Sequence, residues 1–415
     1  MKKIFSLLVL CATVVFASCS KDDPVTDPVP EGIVVTTYDA LLDALQTGGT
    51  SADAPTLITL GGNITIPAGG DYDTPPINGS GHFKIDGGGH TITWESTANS
   101  YYRLGNSSPD DDAVYIELTN INLVRQGMNS AVAVLNGRIT LGKDVALNGQ
   151  YENMILASGE KAALELGDGC ELSYTTDRSY CVSVWNGATL VLNGGKTAAG
   201  AYIDLGRNFD PAASHPLISV PKALTGDVQL LLTMTGVTSI AQGAGGYQLT
   251  QADCDRLKVN PESMVSLYGE PHQKYDDNFE LYLDPAAEHQ IKLRRKNFTP
   301  PTSGNIDMTS MTADEAQLTI RAAVAAGFTD LKLTGELSKT GIGGNWGTFI
   351  NNKKITKCDL TGVTDWGRTP TLPDVAFANC TALQEVTLPG DMKVIGGSAF
   401  SGCAALTTVN LSQVT

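Results

Sequence analysis

The chain has 415 residues, 42% of them hydrophobic and 17% charged, with 44 glycines; this composition supports a sizeable core, two or three domains and a turn-rich β architecture. Its 44 acidic against 28 basic residues leave a formal charge of −16, which argues against nucleic acid as a partner and describes a solvated acidic surface. The eight cysteines include no CxxC pair and the five histidines are dispersed, so no ligand spacing calls for a metal or a cofactor.

Met1 to Ser18 reads as a secretion leader: Lys2-Lys3, an apolar run from Ile4 to Phe16, then Ala17-Ser18. The run is too short for a stable membrane span. Phe16-Ala17-Ser18-Cys19 resembles a bacterial lipobox, and the resemblance implies cleavage before Cys19 and acylation of that residue, for example by palmitate. Cys11 lies inside the apolar run and reads as a passenger of the leader. Ser20-Lys21-Asp22-Asp23 is similar to the acidic tag that sends lipoproteins of gut and oral anaerobes to the outer leaflet of the outer membrane. Pro24 to Glu31, with three prolines, then forms an extended tether, so residues 19–31 are expected to hold a folded body off the bilayer. Acyl chains supply such anchoring at about 0.8 kcal/mol per buried methylene.

Residues 32–297 carry the first repeat. Thr36-Thr37 followed by Tyr38, Leu41, Leu42 and Leu45 predicts a short capped helix that stops at Gly48-Gly49 and covers one open end of a solenoid. Leu57, Ile58 and Leu60, then Ile64 and Ile66, open the alternating strands. From Ser130 to Gly194 the pattern becomes periodic: Ile139, Leu141, Gly142, Val145 and Leu147 return 25 residues later as Leu164, Leu166, Gly167, Cys170 and Leu172. Three short half-buried strands separated by corners such as Asn136-Gly137 and Gly142-Lys143 make up each copy, and a further copy runs through Val182, Val184, Leu190 and Leu192. One such copy cannot bury its own apolar row, whereas stacked copies share a continuous core. These spacings predict a parallel β-helix of roughly seven coils between Leu57 and Ile240, about 30 to 35 Å long at the strand spacing of about 4.8 Å. Phe83 to Trp94, with Gly87-Gly88-Gly89 at its corner, resembles the opening coils of pectin-lyase-type β-helices, which implies a right-handed solenoid. A longer loop from Ala201 to Pro216 interrupts the period. Beyond it, a helix over Thr250 to Leu257 and a hairpin of Glu280–Asp284 with Gln290–Leu293 are expected to cap the far end.

Residues 298–305 read as a linker and 306–415 as a second solenoid. Thr312-Ala313-Asp314-Glu315 is a capping box that opens a helix running to Gly327. Phe377, Cys380, Leu383, Val386 and Leu388 return 23 residues later as Phe400, Cys403, Leu406, Val409 and Leu411, with a degenerate earlier copy at Phe349, Asn352, Ile355, Cys358 and Leu360. The segments around Ala376–Leu383 and Ser398–Leu406 closely resemble BspA-type leucine-rich repeats, a bacterial surface family; the resemblance implies that Cys380 and Cys403 are stacked interior residues. Three rungs are near the minimum for such a solenoid. The last repeat stops at Thr415, short of the next Ile-Gly-x-x-Ala-Phe segment, so the chain reads as truncated there or tolerant of an open edge.

Pectin-lyase-type β-helices often act on acidic polysaccharides through calcium-binding aspartates with an arginine base, or through paired carboxylates. Asp110-Asp111-Asp112 lies in a loop and reads as a solvated turn, and Asp86 as a corner residue. Candidate ligand contacts are Tyr101, Tyr102 and Arg103, which could stack on sugar rings, and Arg207 with Asp210 on the long loop. Cys170 reads as a small core residue, and Cys170 with Cys181 is the only cysteine pair worth testing as a disulfide. The sequence therefore predicts an outer-membrane lipoprotein anchored at Cys19, a non-catalytic adhesin presenting two solenoids to a host protein, a neighbouring cell or a glycan. The alternative is a polysaccharide lyase or glycoside hydrolase with an accessory repeat domain.

Overall fold

The computed structural model describes residues 32–69, 80–95, 103–125, 130–149, 154–175, 180–206, 217–235, 239–267, 272–276, 278–284, 289–343 and 347–411. The leader, Cys19 and the tether lie outside them.

Alternating apolar and polar residues make strands, and the strands make three long sheets. A front sheet has eleven strands, a back sheet nine and a side sheet six, with successive coils contributing one strand to each. Together with a leucine-rich repeat region at the carboxy terminus, they form a mainly β, parallel solenoid of about 12 turns. In the front sheet Ile139 lies opposite Leu164, and the same inward column runs Phe83, Ile116, Ile139, Leu164, Leu190, Ile218 and Ala241. Every member of that column is buried. The back sheet repeats the arrangement with Val132, Ile155, Val182, Ile203 and Leu230. Burying one Leu, Ile or Val side chain contributes about 1.5 to 3 kcal/mol, and here each does so only because a rung lies above and below it.

The corners follow from small backbone demands. Asn120 and Asp144 precede equivalent side-sheet strands and both adopt left-handed conformations, at φ of 50° and 58°. Short polar side chains tolerate this region better than branched ones. Gly137 opens its strand at φ +122°, and a Cβ there would sit 1.9 Å from the Val114 carbonyl oxygen.

One expected pairing is corrected. The 25-residue period places Leu147 on Leu172, but the side sheet sets Leu147 opposite Tyr174. The slip is two residues, so Leu172 and Cys170 still point inward and both are buried. Tyr174 is accommodated at the sheet margin by donating its hydroxyl to the Tyr202 carbonyl at 2.7 Å.

Helix α1 (Tyr38–Ala44) starts at Thr37, whose hydroxyl accepts the Ala40 amide at 3.2 Å, and buries Leu41 and Leu45 in the solenoid core. A strand that the sequence reading did not assign, Ile33–Val35, precedes it and pairs in parallel with Thr56–Leu60 as the first strand of the front sheet. At the other end, α2 (Gln251–Arg256) begins with a complete capping box between Thr250 and Asp253. The hairpin of Phe279–Asp284 and Gln290–Arg295 adds to the front sheet in antiparallel fashion, where a further parallel strand would otherwise stack. It thereby covers the edge and ends the stack.

The second solenoid has its own core. Its five parallel strands include Asn305–Asp307 and Asp330–Glu336, which the repeat pattern had not revealed, so the stack extends beyond the three recognised rungs. Helix α3 (Ala313–Ala325) carries the expected box, with Thr312 and Glu315 exchanging hydrogen bonds. Gly137→Ala should lower stability by about 3 kcal/mol or more, because both space and φ oppose the methyl group. Gly62→Ala, which meets nothing within 4 Å, should stay within about 0.5 kcal/mol; paired thermal melts measure the difference.

Candidate binding surface

Of the ligand contacts suggested by sequence, Tyr101, Tyr102, Arg207 and Asp210 lie outside the described residues. Arg103 is half-buried and stands near Arg125, a fully internal arginine in register with Trp94 and 5.9 Å over its ring. Burial first, and the charge of Arg103 second, lower the Arg125 pKa to about 10. Asp111 turns its carboxylate back on its own loop, accepting the Ser107 and Ser108 amides at 2.9 and 2.8 Å. Asp86 accepts the Gly88 amide at 2.9 Å, as a corner residue should. Among the described residues no group of three His, Cys, Asp or Glu side chains converges as a metal site.

The outward columns of the front sheet supply a different surface. Register places His82 beside Tyr115 and Tyr115 beside Arg138. The His82 and Tyr115 rings stack with centroids 4.2 Å apart and planes 3° from parallel, and Tyr115 is 37% exposed. In the adjacent column Lys84 lies 2.8 Å from Glu117, and two strands beyond Glu117, Glu165 bridges to Arg138 at 2.7 Å while its other oxygen accepts the Asn193 side-chain amide at 2.8 Å. Parallel strands about 4.8 Å apart hold these side chains at fixed intervals. The exposed Lys84–Glu117 pair contributes at most about 1 kcal/mol, whereas Glu165 is a buried carboxylate that Arg138 and Asn193 satisfy together; both pairs orient the side chains around the ring pair. Tyrosine and arginine on a rigid, partly exposed face are the residue types that dominate binding energy at interfaces.

Neither His82 nor Tyr115 stood out by sequence. Their coils are of unequal length, so only the observed register, 33 residues from His82 to Tyr115 and 23 from Tyr115 to Arg138, brings them into one column. The usable signal is the alternation of Val114, Ile116 and Leu118 inward, which forces Tyr115 outward.

In the second solenoid the outward columns are charged: Asp330, Lys357, Glu385 and Thr408 in one, Asn305, Lys332, Asp359 and Thr387 in the next. Lys357 pairs with Glu385 at 3.3 Å and Lys332 with Asp359 at 3.7 Å. Inside, Phe349, Phe377 and Phe400 form a ladder with centroids 5.3 and 5.7 Å apart. The Cys380 thiol donates to the Phe349 carbonyl and the Cys403 thiol to the Phe377 carbonyl, both at 2.9 Å, each reaching back one rung. Burial pushes the Cys380 thiol up to about 12, which disfavours the thiolate. All six described cysteines are free, Cys170 and Cys181 included, and burial likewise raises Cys170 to about 12. Residues 348–415, which carry these rungs, match the family described as BspA type Leucine rich repeat region (6 copies). Neither a curated protein nor a solved structure matches the chain.

The far-end cap depends on one buried carboxylate. Asp253, 2% exposed, accepts the Leu224 amide at 2.9 Å, the Tyr247 hydroxyl at 2.7 Å and both the amide and hydroxyl of Thr250 at 2.8 and 2.7 Å. Burial opposes its ionisation, but the converging donors outweigh burial and hold its pKa below the ordinary carboxylate value. A carboxyl depressed in the folded state contributes stability above its unfolded pKa of about 3.9 and loses it as pH falls through the folded value. Asp253→Asn should therefore cost about 1 to 3 kcal/mol at pH 7 and flatten the stability profile below pH 4 relative to the parent, as read from denaturant midpoints across pH.

Proposed function

We propose that the protein is a surface-displayed lipoprotein whose two solenoids form a non-catalytic binding module. Supporting this reading are the leader ending at Cys19 and the proline-bearing tether that precedes the folded body. The observation that carries the binding role is the stacked His82 and Tyr115 pair, set beside Arg138 on the front of a rigid sheet. The nearby carboxylates Glu117 and Glu165 are engaged by Lys84 and by Arg138 with Asn193, an arrangement that positions neighbours rather than leaving an acid and a base facing an open groove. The match of residues 348–415 to BspA type Leucine rich repeats agrees with an interaction role for the second solenoid. A solenoid presents one long face at little ordering cost, which suits recognition of an extended or protein ligand. Outer-membrane placement, acylation of Cys19 and exposure to the medium belong to this proposal.

The full chain displayed on cells and the purified mature chain are to be tested against immobilised serum and extracellular-matrix proteins. Tyr115→Ala should weaken capture by about tenfold or more with melting temperature nearly unchanged, and Arg138→Ala should weaken capture while also lowering the melting temperature, because the buried Glu165 carboxylate is then left with Asn193 alone. Cys19→Ala should release the protein from the membrane fraction, and proteinase added to intact cells should degrade the parent. Release of unsaturated or reducing ends from a polysaccharide panel would contradict the non-catalytic reading, and full protection from proteinase would contradict surface display.

A further inference from the structure

Where the hairpin that ends the first solenoid meets the second lies a cleft of about 970 Å³. Its walls are the two hairpin strands, one carrying Tyr282 and the other Lys292 to Arg294, the segment Phe298 to Pro300, the last turn of α3 and the loop Thr348 to Lys354. Among the described residues five cations line it, Lys292, Arg294, Arg321, Lys353 and Lys354, and none of the lining residues is a carboxylate. In a chain of net charge −16 this is a local reversal of sign.

The five cations are not equivalent. Lys292 is paired with Asp284 at 2.9 Å, and Arg294 with Glu280 at 2.7 Å while its guanidinium lies 4.4 Å over the Tyr282 ring. Lys353 and Lys354, both exposed, form no ion pair among the described residues. Their loop is nevertheless held in place. The Asn351 amide donates to the Ala378 carbonyl at 2.8 Å, its side-chain oxygen accepts the Asn379 amide group at 3.0 Å, and Asn352 Oδ1 accepts the amides of Lys354 and Ile355 at 2.9 and 3.0 Å. Ile355 is buried, which anchors the end of the loop in the second core. The last turn of α3 contributes no carboxylate to the lining, and its carbonyls of Ala322, Ala323 and Val324 are engaged by the amides of Ala326, Phe328 and Gly327.

We propose that this cleft binds an anionic oligosaccharide, through sulfate or uronate groups at Lys353 and Lys354 and sugar faces against Tyr282 and Phe298. The proposal rests on the binding role above and gives it a second site, distinct from the Tyr115 face. Adjacent ammonium groups without counter-charges favour an anion, and the pinned loop backbone spares ordering entropy on binding. Two aromatic side chains with the neighbouring amides of Asn351 and Asn352 supply the apolar faces and hydrogen-bonding groups that a pyranose needs. A volume at the upper end of small-molecule sites fits a short oligomer, and the strongly acidic remainder of the surface repels a long polyanion such as nucleic acid.

The test titrates the mature chain with sulfated and polyuronate oligosaccharides, a neutral oligosaccharide of equal length, inorganic sulfate and an oligoglutamate. Saturable binding is expected for at least one anionic oligosaccharide, at least about tenfold tighter than for the other three probes, and weakening as salt rises from about 0.05 to 0.5 M. Lys353→Glu/Lys354→Glu should reduce it by at least about tenfold, with Lys353→Gln/Lys354→Gln intermediate and the melting temperature preserved. Tyr282→Ala should weaken the oligosaccharide in the same assay. Equal binding of neutral sugar, sulfate or oligoglutamate, or an unchanged affinity in the Lys353/Lys354 variants, would overturn the proposal. Should those variants bind unchanged while Tyr115→Ala still weakens protein capture, the cleft assignment falls and the broader binding role stands.

Discussion

The structure depends on contact between like side chains one rung apart. Ile139 is buried because Ile116 and Leu164 lie on either side of it, and the same holds along the column from Phe83 to Ala241. A single coil of this chain would leave its Val, Ile and Leu residues in water, so the free energy of any rung lies largely in its interfaces. Two features follow directly. The ends of the stack need covers, which α1 and the α2 and hairpin assembly provide, and the corners must repeat, which Asn120 and Asp144 illustrate.

The same constraint explains where binding groups can arise. Inward positions are fixed by packing, but outward positions of the front sheet are free to vary, and the ladder places whatever occupies them in straight columns. His82, Tyr115 and Arg138 share one column although they come from separate parts of the chain. At the junction with the second solenoid, a different device gathers Lys353, Lys354, Tyr282 and Phe298: a turn that asparagine side chains pin within the second solenoid, facing the hairpin that closes the first stack.

Much of the fold is legible in the residues. Alternation and glycine-bearing corners give the strands between Val132 and Leu192, and threonine caps at Thr37 and Thr312 give two of the helices, while the helix after Thr250 is legible without its cap. The two-residue slip that sets Leu147 on Tyr174 escapes notice because a shift of two preserves which side chains point inward. Ile33–Val35 escapes because three residues are too few to show a period, and the first strands of the second solenoid because their spacing departs from the 23-residue repeat. The binding surface is less legible than the fold. Tyr115 gains meaning only from neighbours that unequal coils bring beside it, and the cationic cleft only from two solenoids meeting.

Pulsed electron resonance between spin labels in one outward column measures the stacking most directly. Leu57 and Gln242 are joined by seven consecutive register pairs through Lys84, Glu117, Thr140, Glu165, Val191 and Ser219. At about 4.8 Å per rung, Leu57→Cys with Gln242→Cys should give a backbone separation of about 34 Å, and Lys84→Cys with Ser219→Cys about 24 Å. Distances that rise with the number of rungs in this way are the predicted result. A Leu57 to Gln242 separation no longer than that from Lys84 to Ser219 would contradict the shared interior.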